Sequence, residues 1–454
     1  MTRPFSGVRV VEVASWSFVP TAGAIMADLG ADVIKVEPPT GDPQRGLLNL
    51  LAMAGGPAAN PFVEIPNRGK RSITLDLAST GGREVMLALA ASADVFITSY
   101  LPDVRARLGI DVDDLRAVNP RLVYVRGSGW GSHGPMAGTG GFDLAAAWAS
   151  ASMAFKMTRP GEEPMFQPAA FFDLQGSNTI AGAVGMALFD RERTGEPTVI
   201  DVSLLNVGMW ALSADIMAGP TVGAIPAPNR ASAANPLVNS YPTADDRWLY
   251  LVCLQSDRFW LELCDVIGRP DLAADERFSD MTLRAQHAAD CVAELEKTFR
   301  SETLDHWRTR LEGFSGVWAP ALTPAEVHEH PQVGANGYLP EVTSAEGIPY
   351  RLPAPRCASA TSRPRPGDRR PSWASTPRRS SSSWGATGTP SPSSGRRARS
   401  VEDLNRRRTP WPGTTSSSST ASGPPTARSG RSRSSTRRPR TASGRFPRRR
   451  PRPR

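Results

Sequence analysis

The chain has 454 residues, with 53 Lys and Arg against 44 Asp and Glu, and its formal charge of +9 describes no part of it. Residues 351–454 carry 26 Arg, no Lys and three acids (Asp368, Glu402, Asp403), whereas residues 1–350 hold 27 basic residues against 41 acids. Four cysteines without close spacing, five scattered histidines and no uncharged apolar run of about 18–20 residues exclude a disulfide scaffold, a recognisable metal-ligand set and a spanning helix.

The start of the chain, MTRPFSGVRVVEVASW, lacks the apolar run of a signal peptide, so a soluble cytoplasmic protein is expected. Val8 to Val13 reads as a β-branched strand, Pro20 to Leu29 as a helix and Asp32 to Glu37 as a second strand, a βαβ opening. The pattern continues with strands at Ser72–Leu77, Asp94–Thr98 and Leu122–Arg126, and a helix over Gly82–Ser92. A long helix at Leu174–Arg193 ends at Thr194-Gly195 and leads to a strand at Thr198–Val202. This alternation predicts an α/β fold: a Rossmann-like large domain (1–218) on a doubly wound, mainly parallel sheet, with its ligand at the strand carboxyl ends.

Residues 219–239, rich in Pro, Ala, Asn and Gly, read as a linker. A second, smaller α+β domain (240–345) is expected from the strand Trp248–Cys253 and helices near Phe259–Ile267 and Ala285–Phe299, with Trp307, Leu311 and Trp318 as packing residues. Residues 346–454 read as a short return segment followed by an Arg/Ser/Pro-rich tail too poor in apolar residues to fold.

Runs such as Arg406-Arg407-Arg408 suit a disordered arm that binds nucleic acid, or a solvated tail without function. A third reading is translation out of frame. Ser codons of the TCN type place T at the second base of the neighbouring frame, which specifies apolar residues there. Thr376–Ser394 read one base earlier can be written HTEEILLELGRDWDTIAEL, a Leu-rich helix-forming string. A frameshift therefore accounts for the tail best.

The segments GVRVVEVASWSFVPTAGAIMADLGADVIKVE (7–37), NRGKRSITLD (67–76), RARLGI (105–110) and DLQGSNTIAGAVGMALFDRERTG (173–195) resemble class III, CaiB/BaiF-type CoA-transferases. Ser240–Leu254 and Trp318–Tyr338 also look like that family, so the resemblance covers roughly residues 5–355. It implies an acyl-CoA:carboxylate CoA-transferase with acyl-CoA and a carboxylic acid as substrates, no permanently bound cofactor, no metal, and no nucleic-acid or membrane partner. It further implies an interlocked homodimer whose C-terminal segment returns to the large domain. The family ends in a segment like HTEEILLELG, so the chain as written is expected to fold poorly or to be less active.

By the same resemblance, Asp173 is the nucleophile, forming an aspartyl anhydride and then an aspartyl-CoA thioester. Its own setting, ahead of a helix with Ile180, Val184 and Leu188 on one face, suits a carboxylate near a helix N-terminus and equally a plain N-cap. Gly127, Gly129 and Gly131 form either an oxyanion-binding loop or a turn. Lys70, Arg71, Arg107 and Arg126 lie in stretches resembling CoA contacts, and Arg45 follows the second strand; each alone also reads as a surface charge. Two prolines, Pro38 and Pro39, stand where the family often has Arg, and Ser99-Tyr100 replaces a common Asn-Phe. Trp16, Phe18, Trp130 and Trp148 are candidates for an acyl pocket or for core packing. The racemases of the family carry a Gly-His-Asp triplet; here it is Gly141-Phe142-Asp143, and phenylalanine cannot move a proton, which favours CoA transfer over racemisation.

Overall fold

A computed structural model describes residues 3–47, 60–159, 161–223, 229–343, 347 and 349–353. The Arg-rich tail, and with it the frameshift and nucleic-acid readings, lies outside the described residues.

Six parallel strands form the main sheet: β1 (Arg9–Val13), β2 (Asp32–Glu37), β3 (Arg71–Thr74), β4 (Val95–Thr98), β5 (Val123–Ser128) and β6 (Val199–Ser203), in the order β3-β2-β1-β4-β5-β6. In β1, Val10 packs into one core with Val33, Val95 and Val125, while Val11 and Val13 enter another with Ile34, Phe96 and Tyr124. Burial on both faces explains why this strand carries valines at consecutive positions, with the buried Glu12 among them.

One face is covered by α1 (Phe18–Asp28) and the long helix, whose full extent is Phe171–Thr194. The helices α2 (Pro61–Asn67), α3 (Thr80–Ala91), α4 (Pro102–Leu108) and α5 (Val112–Arg116) lie between the strands in sequence. After α6 (Met153–Met157), the long helix, α7, buries Phe172, Gly176, Ile180, Val184 and Ala187, a stripe at helical spacing. Leu188 is only half-buried. Gly195, at φ 81°, ends α7 in the left-handed conformation that residues with a β-carbon avoid.

Several elements differ from the sequence reading: the third strand stops at Thr74 rather than Leu77, and His287 interrupts the helix read over Ala285–Phe299. β5 runs two residues further than Arg126, because Gly127 and Ser128 still pair with Val202 and Ser203 of β6. After α8 (Leu204–Ala211), α9 (Ser213–Val222) continues helical structure into the stretch read as linker.

β7 (Val238–Pro242), β8 (Trp248–Val252) and β9 (Trp318–Pro320) make a second, antiparallel sheet. β8 buries Leu249 and Leu251 against helices including Ser256–Val266 and Ala288–Phe299, with Trp307 and Leu311 buried and Trp318 packed at the margin. A small hairpin, β10 (Glu341–Thr343) with β11 (Pro349–Arg351), brings the chain back: the Tyr350 hydroxyl donates to Glu64 Oε2 of α2 at 2.7 Å.

Candidate active site

Strand order reverses between β1 and β4, so the loops after these strands diverge and open a crevice at the carboxyl edge of the sheet. Ser15, after β1, donates its backbone N–H to Ser99 Oγ, after β4, at 3.2 Å across the base of this crevice. The resulting cleft of about 450 Å³ is lined by Trp16, Phe18, Tyr100, Gly127, Phe142 and Asp173, among others.

Asp173 is the third residue of α7, inside its first turn rather than ahead of the helix. This turn is locked to the start of α1. A β-carbon at Gly176 would lie 2.4 Å from the Phe18 ring, so only glycine admits the contact, and Ser177 Oγ lies 2.6 Å from the carbonyl oxygens of both Asp173 and Phe18. Burial, with a smaller contribution from Asp143, pushes the Asp173 carboxyl up to about 8. The stabilisation anticipated from the helix N-terminus is outweighed, because desolvation disfavours the charged form more strongly.

Asp143 is itself buried, at 8% exposure. Its Oδ1 accepts from the Leu144 backbone N–H at 2.8 Å, whereas Oδ2 has no hydrogen-bond partner among the described residues. A charge kept in this position opposes ionisation of Asp173. If ionised Asp173 is the reacting form, kcat/KM rises with pH through about 8, and Asp143→Asn moves that rise to lower pH. A pH–rate profile of the two proteins checks this; coincident profiles would show that Asp143 does not act on Asp173.

The three glycines differ in what they do. A β-carbon on Gly127 would sit 2.2 Å from Val19 Cγ2, and one on Gly129 2.7 Å from Gly141 Cα, so both permit close backbone approach at the cleft floor. Gly131, at φ 104°, gives its N–H to Ser128 Oγ at 3.0 Å; that donor is committed within the loop and does not face a substrate.

The five predicted CoA-binding cations are scattered. Lys70 is sealed inside the domain, its ammonium 2.6 Å from Glu12 Oε2 and 2.7 Å from the Pro20 carbonyl, so its side chain is removed from the candidate phosphate contacts. Burial, reinforced by nearby Lys35 and opposed by Glu12, pushes Lys70 down to about 7. Arg71 begins β3 and forms a bidentate pair with Asp32, which begins β2, placing it at the amino edge of the sheet, away from the cleft. Arg45 is bidentate to Glu37 at 2.9 and 3.1 Å. Arg126 lines the cleft but is bidentate to Asp201, 2.7 Å for each bond.

Arg107 lines a separate recess of about 410 Å³ with Leu77, Ala78, Ser79, Thr80 and Arg83, at the N-terminus of α3. Its side chain has no ion pair among the described residues. Sequence reasoning missed Arg83, which follows the Ser79 cap by one turn, and Arg105, whose buried guanidinium bonds Asp111 and the Tyr100 carbonyl. The helix-start spacing of Ser79 and Arg83 was the available signal for the first.

Of the four aromatic candidates, Trp16 and Phe18 line the cleft, Trp16 meeting Phe142 edge-on at 5.6 Å. Trp130 instead bonds the Gly140 carbonyl and supports the loop, and Trp148 lies in the core beside Phe172.

Among the described residues no helix is long and apolar enough to cross a membrane, and no group of His, Cys, Asp and Glu is placed to hold a metal. A doubly wound sheet with a buried acid in its switch-point crevice is the framework of an α/β enzyme. The chain belongs to CoA-transferase family III, which matches residues 5–374. It is 32% identical over 351 residues to the probable fatty acyl-CoA transferase Rv3272 of Mycobacterium tuberculosis, covering 75% of this chain and 88% of that one. The crystal structure of Rv3272 superposes with a TM-score of 0.67 at 31% identity, covering 78% of this chain and 93% of that chain. The cinnamoyl-CoA:phenyllactate CoA-transferase of Clostridium sporogenes is 29% identical (78% and 87% covered), and the succinate–glutarate CoA-transferase of Agrobacterium fabrum 32% (76% and 86%).

Proposed function

We propose that this protein is an acyl-CoA:carboxylate CoA-transferase that works through covalent intermediates on Asp173. The observation that carries the reading is one carboxyl, desolvated and held by the first turns of α1 and α7, at the floor of a cleft wide enough for a thioester. Desolvation raises the basicity of the carboxylate and thus its nucleophilicity once ionised.

In the first step the Asp173 carboxylate attacks the acyl-CoA carbonyl and CoA thiolate leaves, giving a mixed anhydride. The thiolate then attacks the aspartyl carbonyl and displaces the donor acid, leaving an aspartyl-CoA thioester. The acceptor carboxylate attacks this thioester, releasing CoA thiolate and forming a second anhydride. Attack of the thiolate on the acceptor carbonyl yields the new acyl-CoA and restores Asp173. No water enters, so the thioester energy is retained.

Gly127 and Gly129 let Val19 and the Gly141 backbone close in to shape the floor on which the reacting carbonyl would rest. The recess with Arg83 and Arg107 at the start of α3 suits the phosphates of CoA, since cations and helix N–H groups converge there. CoA is substrate here, not a resident cofactor. Phe142 cannot supply the second base that racemisation needs, so that alternative is not favoured. A second copy of the chain is the proposed cover for the exposed apolar residues Phe166, Phe189, Trp210 and Met217, which are between 65% and 81% accessible.

Incubation with acyl-CoA followed by intact-mass measurement tests the mechanism. A CoA-sized adduct mapping to Asp173, and lost in Asp173→Ala, is the expected result. Turnover without any adduct on Asp173, including under rapid quench, would remove the covalent route.

A further inference from the structure

The cleft straddles the edge of the sheet, and its two sides differ in charge. Val125 of β5 and Val202 of β6 face the core built with Phe18 and Phe172, whereas Tyr124 faces the opposite core. Side chains alternate along a strand, so Gly127 lies on the α1/α7 side while Arg126 and Asp201 project on the other. The contact distance between a Gly127 β-carbon and Val19 agrees. Asp173 therefore shares its side of the cleft with Phe18, while the two lining arginines stand across the sheet.

Those arginines are already neutralised: Arg126 by Asp201 with two bonds of 2.7 Å, and Arg105 by Asp111 at 3.2 Å. They are the only Lys or Arg lining this cleft among the described residues. The apolar part of the lining includes Trp16, Phe18, Phe142 and Leu204, beside the uncharged polar residues Ser15, Ser99, Tyr100, Ser128 and Ser132. A second carboxylate on a substrate would thus meet aromatic surface and neutral hydroxyls beside the half-buried Asp173 and the buried Asp143, with no unpaired cation lining the cleft among the described residues.

We infer that the acyl groups exchanged at Asp173 are apolar monocarboxylic ones, aromatic or medium-chain aliphatic, and that dicarboxylates are excluded. This rests on the transfer reading above and names its substrate class. Family membership does not choose between the classes, because the relatives include proteins named for phenyllactate and for glutarate.

The full chain is titrated with CoA, hexanoyl-CoA, 3-phenylpropanoyl-CoA and succinyl-CoA, and transfer from each thioester is followed with hexanoate or glutarate as acceptor. The two apolar thioesters are expected to bind about 10-fold tighter than CoA, with succinyl-CoA no tighter than CoA, and hexanoate to exceed glutarate by about 100-fold in kcat/KM. Succinyl-CoA binding as tightly as hexanoyl-CoA, or glutarate serving equally well, would overturn the assignment. Apolar preference in binding without transfer to any acceptor would instead refute the transfer reading and leave the pocket assignment standing. Phe142→Arg places a cation in the wall and is expected to narrow the preference for hexanoyl-CoA over succinyl-CoA. An unchanged ratio with CoA affinity intact would count against Phe142 as part of the acyl pocket.

Discussion

Replacing Asp173 by asparagine is expected to lower kcat by about 10⁴-fold while making the protein harder to unfold. The two effects have one cause. The folded state holds this carboxyl at about 8 by burial, far above its value of 3.8 in an exposed chain. Between these values the folded form binds a proton that the unfolded form has released, so stability falls as pH rises and the penalty is complete above about 8. Asparagine never ionises and escapes that penalty. The gain in Tm should therefore be near zero at pH 4 and grow to about 5 °C above pH 8. Thermal melts of both proteins across this range, alongside initial rates, check the prediction; a pH-independent difference in Tm would contradict the buried-acid account.

Lys35→Met is expected to destabilise the protein by about 3–5 kcal/mol, lowering Tm by about 10 °C. Lys35 is completely buried, 2.6 Å from Asp42 Oδ2, 3.1 Å from Asn67 Oδ1 and 3.4 Å from Glu12 Oε1. Burial alone would lower its affinity for a proton, but Glu12 and Asp42 together outweigh that and hold Lys35 raised. Removal of the ammonium strands Asp42 and leaves Glu12 with Lys70 as its remaining close ion-pair partner. The consequence reaches the cleft. Asp42 Oδ1 also accepts the Trp16 N–H at 3.3 Å, and Trp16 holds a left-handed backbone, φ 70°, that a residue with a β-carbon adopts only when held there. A rise in KM should accompany the loss of stability, and Lys35→Met combined with Asp42→Asn should recover part of the stability by removing the stranded charge. Urea unfolding curves decide the matter: a loss below about 1 kcal/mol for the single variant would show that the network is not a structural keystone.

The repeated strand–helix pattern made the large domain legible from residues alone. Val8–Val13 and Asp32–Glu37 are β-branched runs buried on both faces, and such runs keep their identity wherever the chain packs them. The end of α7 was legible for a similar reason, since Gly195 at φ 81° is a local conformational requirement. The beginning of α7 was not. Ala170, a left-handed residue without a side-chain cap, starts the helix, and contacts with α1 together with the Ser177 hydroxyl fix the first turn that carries Asp173.

Charge was the least legible property. Lys70 and Arg71 are neighbours in a basic motif, yet one is buried on Glu12 and the other is exposed on Asp32 at the far edge of the sheet. Successive residues at a strand entrance diverge in direction, and pairing depends on residues 39 to 58 positions away. A string of residues does not state which of two adjacent cations will be desolvated.

The sequence by itself determined the doubly wound order of elements, the family, and Asp173 as the residue to follow, because these rest on local periodicity and on motifs contiguous in the chain. The tertiary structure decided that this acid is desolvated, that Asp143 stands near enough to oppose its ionisation, and that the cations lining its cleft are already paired. Those properties arise from long-range burial and Coulombic contact, which depend on distances between chain segments that no local pattern encodes.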